Sequence, residues 1–252
     1  MRRESQRYAA KVAVDVRALQ ARHVLPPPVM AARSTEEFRR IKWPILDAVF
    51  RADGPLLPLA NMVMLTSSIP GEGKTVTAIN LALNIASERD STVLLVDADL
   101  AKRHVSGIFG VEMRPGLTDL LVDSKLSLAD VLVETSIEGL SILPAGGAHA
   151  QAPELLASRR MQALMQDMSN AQSDRIVLFD TPPLLARNEA QVLARLVGQV
   201  LLVVRADFTR QAAILEALAL LDRTKTINCV LSQVDPSAGP NYYASYHPDE
   251  NK

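Results

Sequence analysis

One short segment of this chain carries the residue types that hold a phosphate group. It is the run TSSIPGEGKT at residues 66–75, which follows a strand-like run at 62–65 and precedes a stretch with helical apolar spacing. Backbone N–H groups of such a turn can surround phosphates, while Lys74 contacts them and Thr75 offers its hydroxyl to Mg²⁺. A helix that begins at Lys74 points its positive end at the same anion. The nucleotide-binding residues predicted are Ser68, Pro70, Gly71, Glu72, Gly73, Lys74, Thr75 and Val76.

This segment departs from the P-loop pattern at Ser68, where the pattern has glycine. An ordinary strand–helix loop could contain the same residues by chance. The preceding strand and the following apolar helix favour a nucleotide site, because those are the elements that a P-loop connects.

Three acidic residues end two other strand-like runs. Asp97 and Asp99 close VLLVDAD at 93–99, and Asp180 closes RIVLFD at 175–180. Ligands of parallel α/β sheets bind at the carboxyl ends of the strands, so these acids are expected beside the phosphate segment. Thr75 with one aspartate and water can hold Mg²⁺, which leaves a second aspartate to act on a nucleophile. The catalytic residues predicted are Lys74, Asp97, Asp99 and Asp180, and the metal ligands predicted are Thr75, Asp97 and Asp180.

The elements that must position these groups alternate between strands and helices. Further strand-like runs, at 140–143, 176–179, 200–204 and 228–231, are almost entirely apolar, which is typical of parallel strands buried on both faces. Helical stretches are expected around 153–168, 188–196 and 210–221. The alternation predicts the fold class α/β, with a doubly wound, mostly parallel sheet and the P-loop NTPase fold.

Two flanking segments differ from this pattern. Residues 1–33 are predicted to be an N-terminal arm, with a weak helix over 8–19 that ends before three prolines at 26–28. A second helix is predicted to begin at Ser34 or Thr35 and to reach Trp43 and Pro44, with a resumption past Pro44 as an alternative. Residues 34–235 form the P-loop domain, and 236–252 are expected to be a flexible tail.

Composition limits the function classes. The formal net charge is −1 over 252 residues, which predicts no general attraction to nucleic acid. The single cysteine, Cys229, lies in an apolar run and is predicted to be a core residue; with no intrachain disulfide possible, a reducing cytoplasm is expected. The sequence contains no run of 18 or more uncharged apolar residues, so no membrane span is predicted.

Taken together, the motifs resemble those of the bacterial tyrosine kinase (BY-kinase) family, which is similar in fold to MinD/ParA ATPases. The resemblance covers about residues 34–234. It rests on SSIPGEGKT at 67–75, LVDADL at 95–100, FDTPP at 179–183, GLTDLL at 116–121 and PELLAS at 153–158. Glu36, Arg39 and Lys42 also resemble the family's oligomerisation helix, with lysine where arginine is usual.

The resemblance implies ATP and Mg²⁺ as cofactors, tyrosine as the phosphate acceptor, and 34–235 as a kinase domain. It also implies autophosphorylation of a C-terminal cluster, and three of the four tyrosines, Tyr242, Tyr243 and Tyr246, lie in the last eleven residues. About nine residues separate Val234 from Tyr243, roughly 30 Å of extended chain, which reaches the chain's own site or a neighbour's.

The implied partners are other copies of the chain in a ring or dimer, a separate membrane polysaccharide co-polymerase as activator, and a phosphotyrosine phosphatase. The implied setting is polysaccharide synthesis and export, with the protein cytoplasmic and held at the inner face of the membrane through its partner.

Departures from the family keep two alternatives open. Ser232 stands where the family usually has a base-recognising asparagine, and Ala101 stands where it often has arginine. The first alternative is a MinD/ParA-like switch ATPase, although Ile69 occupies the position of that class's second signature lysine. The second alternative is a nucleotide-binding scaffold without kinase activity.

Overall fold

The computed structural model describes residues 10–51 and 54–235, and they build one eight-stranded sheet. The strand order across the sheet is β1-β4-β5-β3-β6-β2-β7-β8. All paired strands are parallel except β4 and β5, which are antiparallel. The strands are β1 Ala10–Val12, β2 Met62–Ser67, β3 Thr92–Asp97, β4 Val133–Thr135, β5 Leu140–Leu143, β6 Arg175–Asp180, β7 Gln199–Arg205 and β8 Thr226–Ser232.

Ten α-helices are seen in the described residues. They are α1 Val16–Ala21, α2 Ala31–Val49, α3 Lys74–Ala86, α4 His104–Ile108, α5 Leu117–Val122, α6 Leu128–Val131, α7 Ala152–Leu156, α8 Arg159–Asn170, α9 Asn188–Leu196 and α10 Gln211–Ala219.

Alternate residues of the central strands enter two separate hydrophobic clusters, one on each face of the sheet. In β3, Leu94 and Val96 face the cluster with α5, α8 and α9, whereas Val93 and Leu95 face the cluster with α2 and α3. Successive side chains of a strand point to opposite faces, so apolar residues throughout a strand require cover on both sides. The predicted doubly wound, mostly parallel α/β sheet is therefore confirmed.

Residues 10–33 belong to this fold, in contrast to the arm predicted for 1–33. The segment 10–12, predicted as helical, is strand β1 and pairs with β4. Leu19 and Val24 are buried in the cluster that contains α3. The local sequence is too weakly patterned to show this, because the pairing partner of β1 lies about 120 residues away.

Two further predictions about elements differ from the structure. Helix α2 begins at Ala31 rather than at the predicted cap. It continues through Pro44, in line with the alternative that the helix resumes there, and Ile45 and Ala48 in its last turns are buried. The stretch predicted as one helix over 153–168 is two helices, since Ser158 caps α8 through Met161 N.

Cys229 is exposed, so its prediction as a core residue is wrong. It lies on β8, which is an edge strand in the described residues and is not covered as the central strands are.

Candidate active site

The phosphate segment lies between β2 and α3, as predicted, and its turn is held in place by Glu72. Gly71 and Gly73 have φ values of +88° and +85°, a left-handed conformation that L-residues with side chains rarely adopt. One Glu72 carboxylate oxygen accepts a hydrogen bond from Ile69 N at 2.7 Å, and the other accepts one from the Thr209 hydroxyl. The Glu72 side chain is buried and stabilises the turn, so any contact of Glu72 with phosphate must come from its backbone.

The end of β8 also contacts this turn. Ser232 Oγ donates a hydrogen bond to the carbonyl oxygen of Glu72 at 2.6 Å. Gln233 follows with a φ of +53°, and its side-chain nitrogen Nε2 lies 3.5 Å from the position that a Cβ on Gly73 would occupy. The first residues beyond β8 therefore lie directly beside the phosphate segment.

The predicted lysine and acids converge at the carboxyl ends of β2, β3 and β6. Lys74 Nζ lies 3.5 Å from Asp99 Oδ2, with both side chains nearly buried. Thr75 Oγ1 donates a 2.7 Å hydrogen bond to Asp180 Oδ2. Asp97 and Asp180 are direct neighbours in the register of β3 and β6. The structure thus brings together all five side chains for which chemistry was predicted.

Asp97 is oriented by a residue that sequence reasoning missed. Ser106, on α4, donates two hydrogen bonds of 2.7 Å to Asp97 Oδ2, one from its backbone N–H and one from its hydroxyl. The same hydroxyl oxygen accepts a bond from Ala145 N, which fixes its orientation. A serine nine residues beyond an aspartate has no sequence signal, because the contact depends on the loop between them.

Three buried carboxylate oxygens at the site have no hydrogen-bond partner among the described residues. Asp99 Oδ2 is ion-paired with Lys74, whereas Asp97 Oδ1 and Asp180 Oδ1 have no ion pair among those residues. Buried acceptors are almost always satisfied, so these oxygens are suited to a ligand. With the Thr75 hydroxyl they form a set of hard oxygen donors, which fits Mg²⁺ completed by water and phosphate oxygens.

The electrostatic setting agrees with a cation site. Burial raises the pKa of Asp180 to about 7, although Lys74 opposes the shift. Burial likewise raises the pKa of Asp97 to about 6, opposed by the hydrogen bonds from Ser106. A bound cation would favour the ionised form of both groups. Carboxyl groups with a pKa this close to neutrality are typical of functional sites.

A second group of contacts shapes the wall beside α5. Asp119 Oδ2 accepts hydrogen bonds from Gly116 N at 2.8 Å and Gly147 N at 3.1 Å. The Thr118 hydroxyl donates to Ala145 O at 2.9 Å. These bonds join α5 to the loop after β5, which also contacts Ser106, and they give the sequence GLTD a structural role.

The three predicted oligomerisation residues have different environments on α2. Glu36 and Arg39 form an ion pair at 2.7 Å, and both side chains are about half exposed. Lys42 is only 2% exposed, and its Nζ donates to Asn84 O at 3.1 Å and to the Glu88 carboxylate. Lys42 therefore joins α2 to α3 instead of facing a neighbouring molecule. Tyr242, Tyr243 and Tyr246 lie outside the described residues.

A family model described as an AAA domain matches residues 61–229. The tyrosine-protein kinase YwqD of Bacillus subtilis is 35% identical over 173 residues, which are 68% of this chain and 71% of that protein. The chain belongs to the bacterial tyrosine kinase family. The putative tyrosine-protein kinase EpsB of Ralstonia nicotianae is 36% identical over 187 residues, 73% of this chain. The matched region is 24% of EpsB, so this BY-kinase chain spans about a quarter of that relative's length.

A solved BY-kinase domain has the same architecture. The kinase domain of VpsO is 30% identical, with 87% of this chain and 97% of that chain covered, and the TM-score is 0.66. This likeness confirms for this chain the P-loop fold that BY-kinase domains share. No helix within 10–51 and 54–235 has the length and apolar character that a membrane span requires.

Proposed function

We propose that the protein is an ATP-dependent protein-tyrosine kinase that phosphorylates tyrosines of its own C-terminal tail. The observation that carries this proposal is the convergence of Lys74, Thr75 and three buried aspartates at one edge of the sheet. The geometry alone does not identify the phosphate acceptor. Tyrosine is proposed as the acceptor because the relatives are named tyrosine-protein kinases.

The roles follow from the positions of the groups. The backbone of the phosphate turn and Lys74 would hold the β- and γ-phosphates of ATP. Thr75, Asp97 and Asp180 would hold Mg²⁺, which neutralises charge on those phosphates. The tyrosine oxygen forms a bond to the γ-phosphorus as the bond from that phosphorus to the bridging oxygen breaks, and ADP leaves.

The phenol must lose its proton during transfer, because its ordinary pKa is about 10. We assign Asp99 as the acceptor, since it lies beside Lys74, which would contact the transferred group. Asp97 is the alternative acceptor, but Ser106 holds one of its oxygens and the other faces the proposed cation site.

The acceptor tyrosines proposed are Tyr242, Tyr243 and Tyr246, and transfer between two copies is proposed because α2 presents Glu36 and Arg39 at its surface. The proposal also includes two partners of other kinds. A separate membrane polysaccharide co-polymerase is the activator and holds the protein at the inner face of the membrane, and a phosphotyrosine phosphatase is the second partner. The process proposed is regulation of polysaccharide synthesis or export.

Mass spectrometry of the purified chain after incubation with Mg-ATP tests the activity. We expect phosphate on the tail tyrosines of the wild-type chain and none on a Lys74→Met chain. ATP consumption in the presence of the membrane partner without any phosphotyrosine would contradict the proposal and support a switch ATPase. Polymer production that is unaffected by Lys74→Met would instead support a scaffold.

A further inference from the structure

Strand β8 differs from every other long strand of the sheet in its lack of cover. The strands β2 and β6 are buried at all six positions, whereas none of the seven residues of β8 is buried. β8 pairs with β7 on one side, and no described strand lies on its other side. We name the outer edge of Thr226–Ser232, with the side chains of Cys229 and Leu231, the β8 surface.

The β8 surface is apolar as well as open. Cys229 is exposed and Leu231 is 59% exposed, and alternation places both on the same face of the strand. Val234, just beyond the strand, is 43% exposed. A long, unpaired apolar edge is a site for strand addition, and proteins normally cover it or place charges on it. This one carries no charged side chain between Thr226 and Ser232.

We propose that the β8 surface binds the protein's own tail, with residues 242–246 added as an antiparallel strand beside β8. The tail leaves from the end of β8 itself. A strand that folds back along β8 therefore closes only a short loop, which costs little chain entropy. The intervening residues, 235–241, read DPSAGPN and consist almost entirely of turn formers. Residues 242–246 read YYASY, and tyrosine is among the residues most favoured in strands.

Charge complementarity supports one particular register of the added strand against β8. If residue 242 lies opposite residue 232, an antiparallel return places residue 246 opposite 228 and residues 249 and 250 opposite 225 and 224. Positions 249 and 250 are Asp249 and Glu250, and the exposed Arg223 lies directly before residue 224. Lys225 Nζ is already bonded to Arg195 O and Val197 O, so Arg223 is the cation that would meet the tail carboxylates. Opposite charges would therefore meet where the added strand ends.

This position keeps the tyrosines away from the phosphate turn. β8 is parallel to its neighbour β7, which is parallel to β2, so the carboxyl end of β8 lies at the phosphate edge. A returning strand runs from that edge toward the opposite one. Binding of the tail to the β8 surface would thus store the acceptor tyrosines at a distance from the site. The binding itself does not require the proposed kinase activity.

Cys229 offers a direct test, because it is the only cysteine of the chain. We would measure its rate of alkylation by a maleimide in the full-length, phosphatase-treated chain without ATP. A full-length chain with Tyr242, Tyr243 and Tyr246 replaced by serine is expected to react at least about fivefold faster, because the thiol is no longer covered. The rates should not depend on protein concentration. Met113→Ser, which changes an exposed apolar residue elsewhere, should react as the wild type does.

A charge variant tests the register separately. Arg223→Glu should also raise the alkylation rate, whereas Arg114→Glu, another exposed arginine, should not. Hydrogen exchange of the β8 amides should increase in the tyrosine variant and in Arg223→Glu. Equal alkylation rates and equal exchange in wild type and tyrosine variant would overturn the proposal. Protection that grows with protein concentration would also overturn it and would indicate a second copy on the β8 surface.

Discussion

At the scale of single residues, the proposed cation site depends on a carboxylate whose direction is set by a neighbour. Ser106 donates two hydrogen bonds to Asp97 Oδ2, which leaves Oδ1 without a hydrogen-bond partner in the described part of the chain. Groups that orient a metal ligand commonly change metal affinity about 10- to 100-fold when they are lost. Ser106 is therefore expected to act through Asp97 rather than on the nucleotide.

Ser106→Ala should raise the Mg²⁺ concentration needed for half-maximal nucleotide binding by about tenfold. The backbone donor remains, so the loss is partial. The measurement is a Mg²⁺ titration of nucleotide affinity by calorimetry, with thermal stability recorded alongside. Ser158→Ala is the matched control, since it removes a serine that caps α8 far from the site. It should lower stability by about 1 kcal/mol without a change in Mg²⁺ requirement. An unchanged requirement in Ser106→Ala would contradict the role.

The raised pKa values of Asp97 and Asp180 predict a pH dependence in the ligand-free protein. Both carboxyls bind protons more tightly in the folded state than in the unfolded state, where their pKa is near 3.8, the ordinary value for aspartate. Their contribution to stability is therefore complete below about pH 4 and is lost as pH rises through about 6 to 7.

The melting temperature without Mg²⁺ should thus fall between pH 5 and about pH 8, and the fall should be smaller in Asp180→Asn. Mg²⁺–nucleotide affinity should rise over the same range, because the cation requires ionised carboxylates. Thermal unfolding and calorimetry at several pH values measure the two effects. A wild-type profile that matches that of Asp180→Asn would show that Asp180 is not protonated in this range.

At the scale of elements, the junction of α5 with the loop after β5 depends on the absence of a side chain. A Cβ on Gly116 would lie 2.0 Å from Pro144 O, 2.5 Å from Pro144 C and 2.7 Å from Gly146 N, and all three atoms belong to backbone that cannot move away easily. The helix α5, its residue Asp119 and the loop that supports Ser106 are joined at this point.

Gly116→Ala should therefore lower the free energy of unfolding by about 2 to 4 kcal/mol and also weaken nucleotide binding. Gly107→Ala is the matched control, because a Cβ there meets nothing within 4 Å and the residue lies in α4. That change should be neutral or stabilising by up to about 1 kcal/mol. Chemical denaturation measures both, and equal effects of the two substitutions would exclude the close approach.

Two basic residues of the predicted oligomerisation motif on helix α2 have different environments. Lys42 is buried, whereas Arg39 is exposed. Lys42→Met should destabilise the chain by about 1 to 2 kcal/mol, because it removes the bonds to Asn84 in α3 and to Glu88 just beyond that helix. Arg39→Met removes only an exposed ion pair and should cost at most about 0.5 kcal/mol. If α2 is an interface between copies, Arg39→Met should nevertheless reduce the oligomer size. Denaturation and analytical ultracentrifugation separate the two results, and a wild-type oligomer in Arg39→Met would argue against that interface.

At the scale of the whole molecule, the direction of transfer between copies can be measured. A Lys74→Met chain, which has an intact tail, is mixed with a chain that has an intact site and phenylalanine at all three tail tyrosines. We expect phosphotyrosine on the Lys74→Met chain, since about nine residues of tail can reach a neighbouring site. Its absence in the mixture, with normal labelling of the wild type, would show that transfer stays within one copy.

Phosphorylation would also change the charge of the tail. Each phosphotyrosine adds about −1.5 to −2 charges, so three on one tail would repel the acidic site, neighbouring tails and a tail strand that carries Asp249 and Glu250. The same event would then release the tail from the β8 surface and weaken contacts between copies.

Much of the molecule follows from local sequence. The phosphate turn, the acids at the strand ends and the doubly wound sheet were all predictable, because strand and helix periodicity and turn residues act over a few neighbours. Parallel strands then bring their carboxyl ends to one edge, so Lys74, Thr75 and the three aspartates had to meet there.

The tertiary structure decided what depends on which distant segment covers a residue. It shows that β1 pairs within the sheet, that Lys42 is buried against α3 and that the Glu72 side chain bonds within the phosphate turn. It also shows that Cys229 is exposed on β8 and that Ser106 donates to Asp97. Each of these contacts joins parts of the chain that loops bring together. No local pattern of residue types encodes such a contact, since its free energy is gained only when the whole sheet has formed.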